Sequence, residues 1–415
     1  MIQSTHPSAQ SEREQQHTED YGNLSELQQA FAESCEPTIG VEVELFLVDE
    51  QTGQPVAIYD DVYALLPPHI QQQTQPEFLA CQIEYATTPH RDIAGIRAEL
   101  EDFEQAVTAA AAQLGARPEW TAILPDWEFD PAMIRDSERA RWNAERFGES
   151  ASILAACSVH IHVAVPRHQA IQVADGLQQF VPLLVALSAN SPQMPGTRRH
   201  VSSQRAAMWA HDLPTSGFPR LFGDWDNFTR HVELLRDFGV ITSQKDLYYF
   251  VRPTRYGTIE VRCCDLPPSL DHVIALASLV QASAVRFQRG CPLPIPADIL
   301  HADLANAITH GSQAMLTSCE LSHVPLSDCF ASLLSELLPI GAALDNDKGL
   351  MAANCLLEGA GRQRRKSNDP GKKGRLVGRD SSHNGSLVTA LRRWSPRLTL
   401  ATSVCLFLAA AVLNV

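Results

Sequence analysis

Gly40-Val41-Glu42-Val43-Glu44-Leu45-Phe46 sets glutamate and aliphatic residues in strict alternation. Extended backbone sends successive side chains to opposite faces, so Glu42 and Glu44 share one face and Val41, Val43 and Leu45 the other. The pattern predicts a strand over Thr38–Asp49. Two carboxylates about 6–7 Å apart on one face repel unless water or a cation lies between them. An isolated pair of this kind also fits a solvated acidic edge strand, so the rest of the chain has to decide.

The alternation recurs. Cys157-Ser158-Val159-His160-Ile161-His162-Val163-Ala164-Val165 puts His160 and His162 on one face, within a strand predicted over Ala156–Val165. Gly257-Thr258-Ile259-Glu260-Val261-Arg262-Cys263 does the same with Thr258, Glu260 and Arg262, within Gly257–Asp265. Gln82 and Glu84 alternate with Ile83 and Tyr85 in a shorter candidate, Leu79–Ala86. Four strands with an apolar face for helices and a Glu, His or Arg face describe a sheet whose polar side is a working surface. Helical patterns over Ile93–Leu114, Pro131–Ala155, Gln169–Ser188 and Leu270–Phe287 lie between them, without regular βαβ spacing or a glycine-rich phosphate loop. That mixture predicts an α+β fold rather than a doubly wound sheet.

The residue types narrow the chemistry. Glu42, Glu44, Glu84 and Glu260 offer hard oxygen donors, which suit Mg²⁺ or Mn²⁺ better than zinc. His160 or His162 completes a metal shell or contacts a phosphate. Arg262 beside Glu260 suits a phosphoryl group whose negative charge grows during transfer. A net charge of −15 argues against nucleic-acid binding, because phosphate contacts need a basic surface. Bound Mg²⁺ reverses the sign locally, so an anionic substrate stays open. The ten cysteines are scattered, with no CxxC pair, which predicts reduced thiols in a cytoplasmic protein.

These segments resemble the glutamate–cysteine ligase type 2 family, also called carboxylate–amine ligases. The resemblance is carried by Gly40–Glu44, Cys157–Val163, Leu187-Ser188-Ala189-Asn190-Ser191-Pro192 and Gly257–Arg262. Ser203-Gln204-Arg205-Ala206-Ala207-Met208-Trp209, Pro214-Thr215-Ser216-Gly217-Phe218-Pro219 and Arg252-Pro253 match in order and spacing. It spans roughly Pro37 to Phe287. It implies a glutamine-synthetase-like catalytic fold: a curved antiparallel sheet, helices on one face and a funnel-shaped site on the other. It also implies that ATP phosphorylates the γ-carboxylate of glutamate and that the amine of cysteine attacks the acyl phosphate. Glu42, Glu44, Glu84, Glu260 and His160 are then the Mg²⁺ ligands, and Arg262, with Glu260, faces the transferred phosphate. His162, Ser203 and Arg205 enter as substrate-binding residues. The chain departs from the family where Val43 replaces a third glutamate, and where Tyr248-Tyr249-Phe250 replaces Trp-Trp-Asp. The family's downstream Asn-Arg-Trp segment is not recognisable around Ala302–Leu316.

Other readings compete. A cupin-like oxygenase also uses HxH and a later glutamate, but the long helices and the excess of carboxylates oppose it. The same ligase chemistry on another carboxylate and amine, or a non-catalytic ATP-binding relative, fits the motifs as well. Organisation follows from composition: a disordered or marginally helical segment at 1–35, a catalytic domain at 36–357, a basic linker at 358–397 and an apolar tail at 398–415. From Arg362 to Arg397 there are eleven Lys and Arg against two Asp. The 18 uncharged residues Leu398–Val415 reach about 27 Å as a helix, marginal for a bilayer, so a membrane contact, a docked helix and a displaced reading frame all stay open. Amino acids are the expected small-molecule partners, and a homo-oligomer is left open.

Overall fold

Alternating β-branched and charged residues make a strand only if something covers the apolar side, and here helices do. The computed structural model describes residues 24–357 except 194–200, 214, 219, 244–245 and 291–293. The expected basic linker and apolar tail therefore lie outside the described residues, as does the start of the N-terminal segment.

Among the described residues, seven strands form one antiparallel sheet: β1 (Ile39–Asp49), β2 (Thr74–Pro76), β3 (Gln82–Ala86), β4 (Ala116–Glu119), β5 (Ser158–Ala164), β6 (Val251–Pro253) and β7 (Thr258–Asp265). Their order is β2-β3-β1-β5-β7-β6, with β4 paired to the second half of β1. Val41, Val43, Leu45, Val159, Ile161, Val163, Ile259 and Val261 are all buried. The helices Ile93–Gln113, Ala170–Gln179, Val181–Ser188 and Leu270–Gln288 pack against these strands. The α+β class and the antiparallel sheet expected from the sequence are both present. A two-stranded ribbon, β8 (Met315–Thr317) with β9 (His323–Pro325), stands apart from the sheet.

Local signals moved three boundaries. Gln169–Ser188 is two helices, bent by 53°, because Pro182 in the first turn of the second helix has no N–H to continue the ladder. Pro131–Ala155 keeps a regular α-helix only at Glu138–Phe147, flanked by 3₁₀ turns. Ser137 caps that helix by accepting from the Ala140 amide, and Gly148 ends it at φ 53°, a conformation that favours glycine. β3 starts at Gln82, because Leu79–Gln82 closes a turn through Gln82 N to Leu79 O at 3.1 Å.

Leu24–Ala30 is helical and buries Leu27; Phe31 follows it and meets Trp225 edge-on at 5.3 Å. The turn between β6 and β7 leans on this helix. Gly257 has φ 71°, and a Cβ there would lie 2.4 Å from the Ala30 carbonyl oxygen. Leu270–Gln288 and Leu326–Ala343 are long and apolar enough to cross a membrane by length and composition. The first lies in the core instead, 78% of its most apolar stretch buried, with Gln281 donating to the carbonyls of Pro37 and Arg91.

The clearest single brace between sheet and helix is Phe103, fully buried and stacked on Tyr85 at 4.4 Å. Truncating a large buried aromatic side chain removes its transfer energy and leaves a cavity. Phe103→Ala should cost about 3–5 kcal/mol in urea unfolding, with Phe103→Leu clearly milder. Equal midpoints for wild type and Phe103→Ala would show that this layer is not cohesive.

Candidate functional site

The register of the sheet decides which polar residues meet. Glu44 sits opposite Glu84, Glu42 opposite His160, His162 opposite Glu260, and Arg252 opposite Glu260. All line one cleft of about 670 Å³, with Arg262, Ser158, Trp209 and Tyr248. A larger cleft of about 980 Å³, lined by Arg117, Trp120, Trp127 and His272, contains none of these clustered carboxylates. Chemistry, not size, identifies the candidate site.

Glu260 is its centre. Only 2% exposed, it accepts from Arg252 Nε at 2.7 Å and from Arg262 Nη1. Burial favours the neutral acid, but the two guanidiniums outweigh it and hold the carboxyl well below the usual range. Glu42 is kept ionised in the same way: burial opposes it, while His160 and His162 pull its pKa down. His160 Nδ1 lies 2.9 Å from Glu42 and its Nε2 2.9 Å from the Ser158 hydroxyl. His162 Nε2 lies 3.1 Å from Glu42, and its Nδ1 3.0 Å from Thr258 Oγ1. For the His162 imidazole, burial favours the neutral form, yet Glu42 and Glu260 raise its pKa.

The neighbouring end of the cleft is acidic. Glu44 accepts from the Ser158 amide at 2.7 Å and the Ser158 hydroxyl at 2.8 Å. Burial pushes its pKa up, against the pull of His160. Glu84 is pushed well above the ordinary value by burial and then by Glu77, Glu42 and Glu44. Glu77 was missed by the sequence reading because it lies just outside an alternating segment, on the turn after β2. It shares a hydrogen bond with Glu84 and lines the same cleft.

Ser203 and Arg205 take other places. Both are fully buried and neither lines the cleft. The β5–β7 pairing shifts register between Val159 and Ile161, so β7 carries an extra residue opposite His160. Such a bulge leaves main-chain groups without ladder partners. Arg205 meets two of them, donating Nη2 to the Arg262 carbonyl at 3.0 Å and Nη1 to the Cys263 carbonyl at 3.3 Å. Asp265, beyond the bulge, accepts from Ser203 Oγ, Ser191 Oγ and the Asn190 amide at 2.7–2.9 Å. Two of the segments that carry the family resemblance, around Asn190 and around Ser203, thus hold the strand that carries Glu260 and Arg262. Phe250, the departure from aspartate, is fully buried against Phe218 and does not line the cleft. Val43 is in the apolar layer.

The donor set fits a divalent cation. Glu42, His160 and Glu260 each offer a ligand atom, and the three atoms lie within 4.8 Å of one another. Glu44, Glu77 and Glu84 add carboxylates that repel one another, as the raised Glu84 pKa records. Hard oxygen donors with one imidazole suit Mg²⁺ or Mn²⁺.

Comparison with known proteins agrees with this geometry. The sequence pattern of glutamate-cysteine ligase family 2 matches residues 38–365. A protein of Mycolicibacterium vanbaalenii with the provisional name glutamate–cysteine ligase 2-2 is 34% identical over 342 residues, 79% of this chain and 93% of that relative. A relative from Bordetella avium, provisionally named glutamate–cysteine ligase 2, is 30% identical over 319 residues, 76% of this chain and 79% of that one. Among solved structures, a bifunctional glutathione synthetase from Pasteurella multocida superposes with a TM-score of 0.60 at 15% identity. The match covers 83% of this chain but about half, 51%, of that one. A glutamate–cysteine ligase from Francisella tularensis in complex with AMP gives 0.56 at 16% identity, covering 80% and 83%.

Repulsion at Glu84 has a measurable sign. A carboxyl whose pKa is raised in the folded state binds more protons there than in the unfolded chain. Stability therefore falls as pH rises from the unfolded value, about 4.3, through the folded one. In metal-free protein, Glu84→Gln should be more stable than wild type near pH 8 and nearly equal near pH 4. Urea midpoints across pH check this, and a Glu84→Gln protein less stable at pH 8 would contradict it.

Proposed function

Since the chain belongs to glutamate-cysteine ligase family 2, we propose that it joins L-glutamate to L-cysteine, forming γ-glutamylcysteine. The chain is an ATP-dependent ligase of carboxylate–amine type; the substrate pair and the choice of Mg²⁺, with Mn²⁺ as alternative, are the proposal. The observation that carries it is Glu260 held between Arg252 and Arg262, beside Glu42 and His160.

In this reading Glu42, His160 and Glu260 would hold one cation, with Glu44, Glu77 and Glu84 lining the acidic end beside it. A bound cation neutralises phosphate oxygens and lowers the repulsion they present to an incoming carboxylate. The γ-carboxylate oxygen of glutamate attacks the γ-phosphorus of ATP as the bond to the β-phosphate oxygen breaks, leaving acyl phosphate and ADP. The cysteine amine then attacks the acyl carbon. Phosphate leaves with the bonding pair, and the nitrogen gives up a proton. Arg262 is placed to stabilise the charge that develops: its Nη1 is bonded to Glu260, and its buried Nε has no hydrogen-bond partner among the described residues. His160 and His162 hold Glu42 ionised and oriented. No Ser/His/Asp or Cys/His nucleophile arrangement is assigned to this chemistry. The free thiols Cys81, Cys157, Cys263 and Cys264 are buried and none lines the cleft.

The test is ADP release by purified protein with Mg²⁺ across pairs of carboxylates and amines, with products identified by mass. Glutamate plus cysteine should give the fastest turnover and a γ-glutamylcysteine product. Faster turnover on another pair would replace the substrate assignment while keeping the chemistry. Arg262→Lys keeps the charge but loses the planar fork, so turnover should fall by on the order of 100-fold while ADP affinity changes far less. A kinetically silent Arg262→Lys would remove Arg262 from the transfer step.

A further inference from the structure

We propose that the tip of the β6–β7 hairpin, Arg255 and Tyr256, is the platform on which the base of the bound nucleotide stacks; this rests on the ATP-dependent reading above. Tyr256 is 66% exposed, although it lines the same cleft as Glu42, His160 and Glu260. An aromatic side chain at a cleft mouth that contacts little of its own protein offers a ring face to a ligand. Its ring contacts are the Arg255 guanidinium, 5.1 Å from the ring centroid, and His162 edge-on at 6.4 Å.

The cleft has two unlike ends, and the register fixes which is which. Glu44, Glu77 and Glu84 lie at one end, with Arg135 fastened to the same side through the Phe78 carbonyl. That mixture of anionic and cationic groups suits a zwitterionic amino acid. The arginine-clamped Glu260 lies between, the place for phosphates. Beyond His162, the other end presents Thr254, Arg255 and Tyr256, with hydroxyls, a cation and an aromatic ring but no carboxylate. A triphosphate lying along the middle therefore delivers its base to Tyr256.

The tip is also rigid enough to serve. Thr254 N donates to the Thr258 carbonyl at 2.9 Å, Gly257 N to the Thr254 carbonyl at 3.1 Å, and the two threonine hydroxyls lie 2.7 Å apart. Thr258 in turn holds His162. A platform fixed before binding loses little conformational freedom when the base arrives.

The experiment measures the affinity of the full-length protein, with Mg²⁺, for ADP and for inorganic tripolyphosphate, which has phosphates and no base. Tyr256→Ala should weaken ADP about tenfold and leave tripolyphosphate unchanged, while Tyr256→Phe restores ADP binding. Unchanged ADP affinity in Tyr256→Ala, or an equal loss for both ligands, overturns the stacking platform and leaves the ligase reading standing. Wild-type protein that binds neither ligand overturns both.

Discussion

Glu260 cannot be buried alone. An ionised carboxylate only 2% exposed costs several kcal/mol unless cations and hydrogen bonds replace its water, and Arg252 does so from the facing position on β6 and Arg262 from two residues along β7. The arrangement in turn demands that β6 and β7 pair in one register only, since a one-residue slip would send every side chain to the other face. On the other side of β7, where it pairs with β5, the bulge is held by the guanidinium of Arg205 and by the Asp265 clasp beyond it. Ser203 and Arg205, within one of the segments that carry the family resemblance, are therefore scaffolding for one strand.

The site combines two electrostatic regimes within one cleft. Around Glu260 and Glu42, each carboxylate has a cationic or imidazole partner, and ionisation is favoured. Around Glu84, carboxylates outnumber partners and ionisation is opposed. Carboxylates crowded into such a conflict suit a site that takes up a divalent cation, which an ATP-dependent ligase family implies. The same conflict lowers the stability of the free protein, as expected when a site is organised for its ligand rather than for the fold.

The alternation in Val41–Leu45, Val159–Val163 and Ile259–Arg262 was readable without coordinates because strand period two is a local rule. It yielded the sheet, its polar face and most of the cleft carboxylates. Glu77 was not readable, since a turn residue has no periodicity to place it. Arg252 was visible only as half of an Arg-Pro pair; its partnership with Glu260 depends on cross-strand register. Ser203 and Arg205 stood out in the sequence, but their place behind β7 did not, because a sequence cannot show a bulge that calls for a buried guanidinium. The bend at Pro182 and the 3₁₀ turns around Glu138–Phe147 follow from Pro and Gly effects that compete with a long apolar pattern.

The helix Leu24–Ala30 lies before the stretch that the family pattern recognises, which begins at residue 38. Its last carbonyl is the surface against which Gly257 closes, and Phe31 and Arg167 fasten it to the helix that begins at Trp225 and to the loop after β5. A shortened expression version cut to the recognised boundary would keep every cleft residue and still lose the buttress behind the hairpin. For this chain the packed unit reaches further toward the N-terminus than the stretch that homology outlines, and boundaries for engineering belong before Leu24.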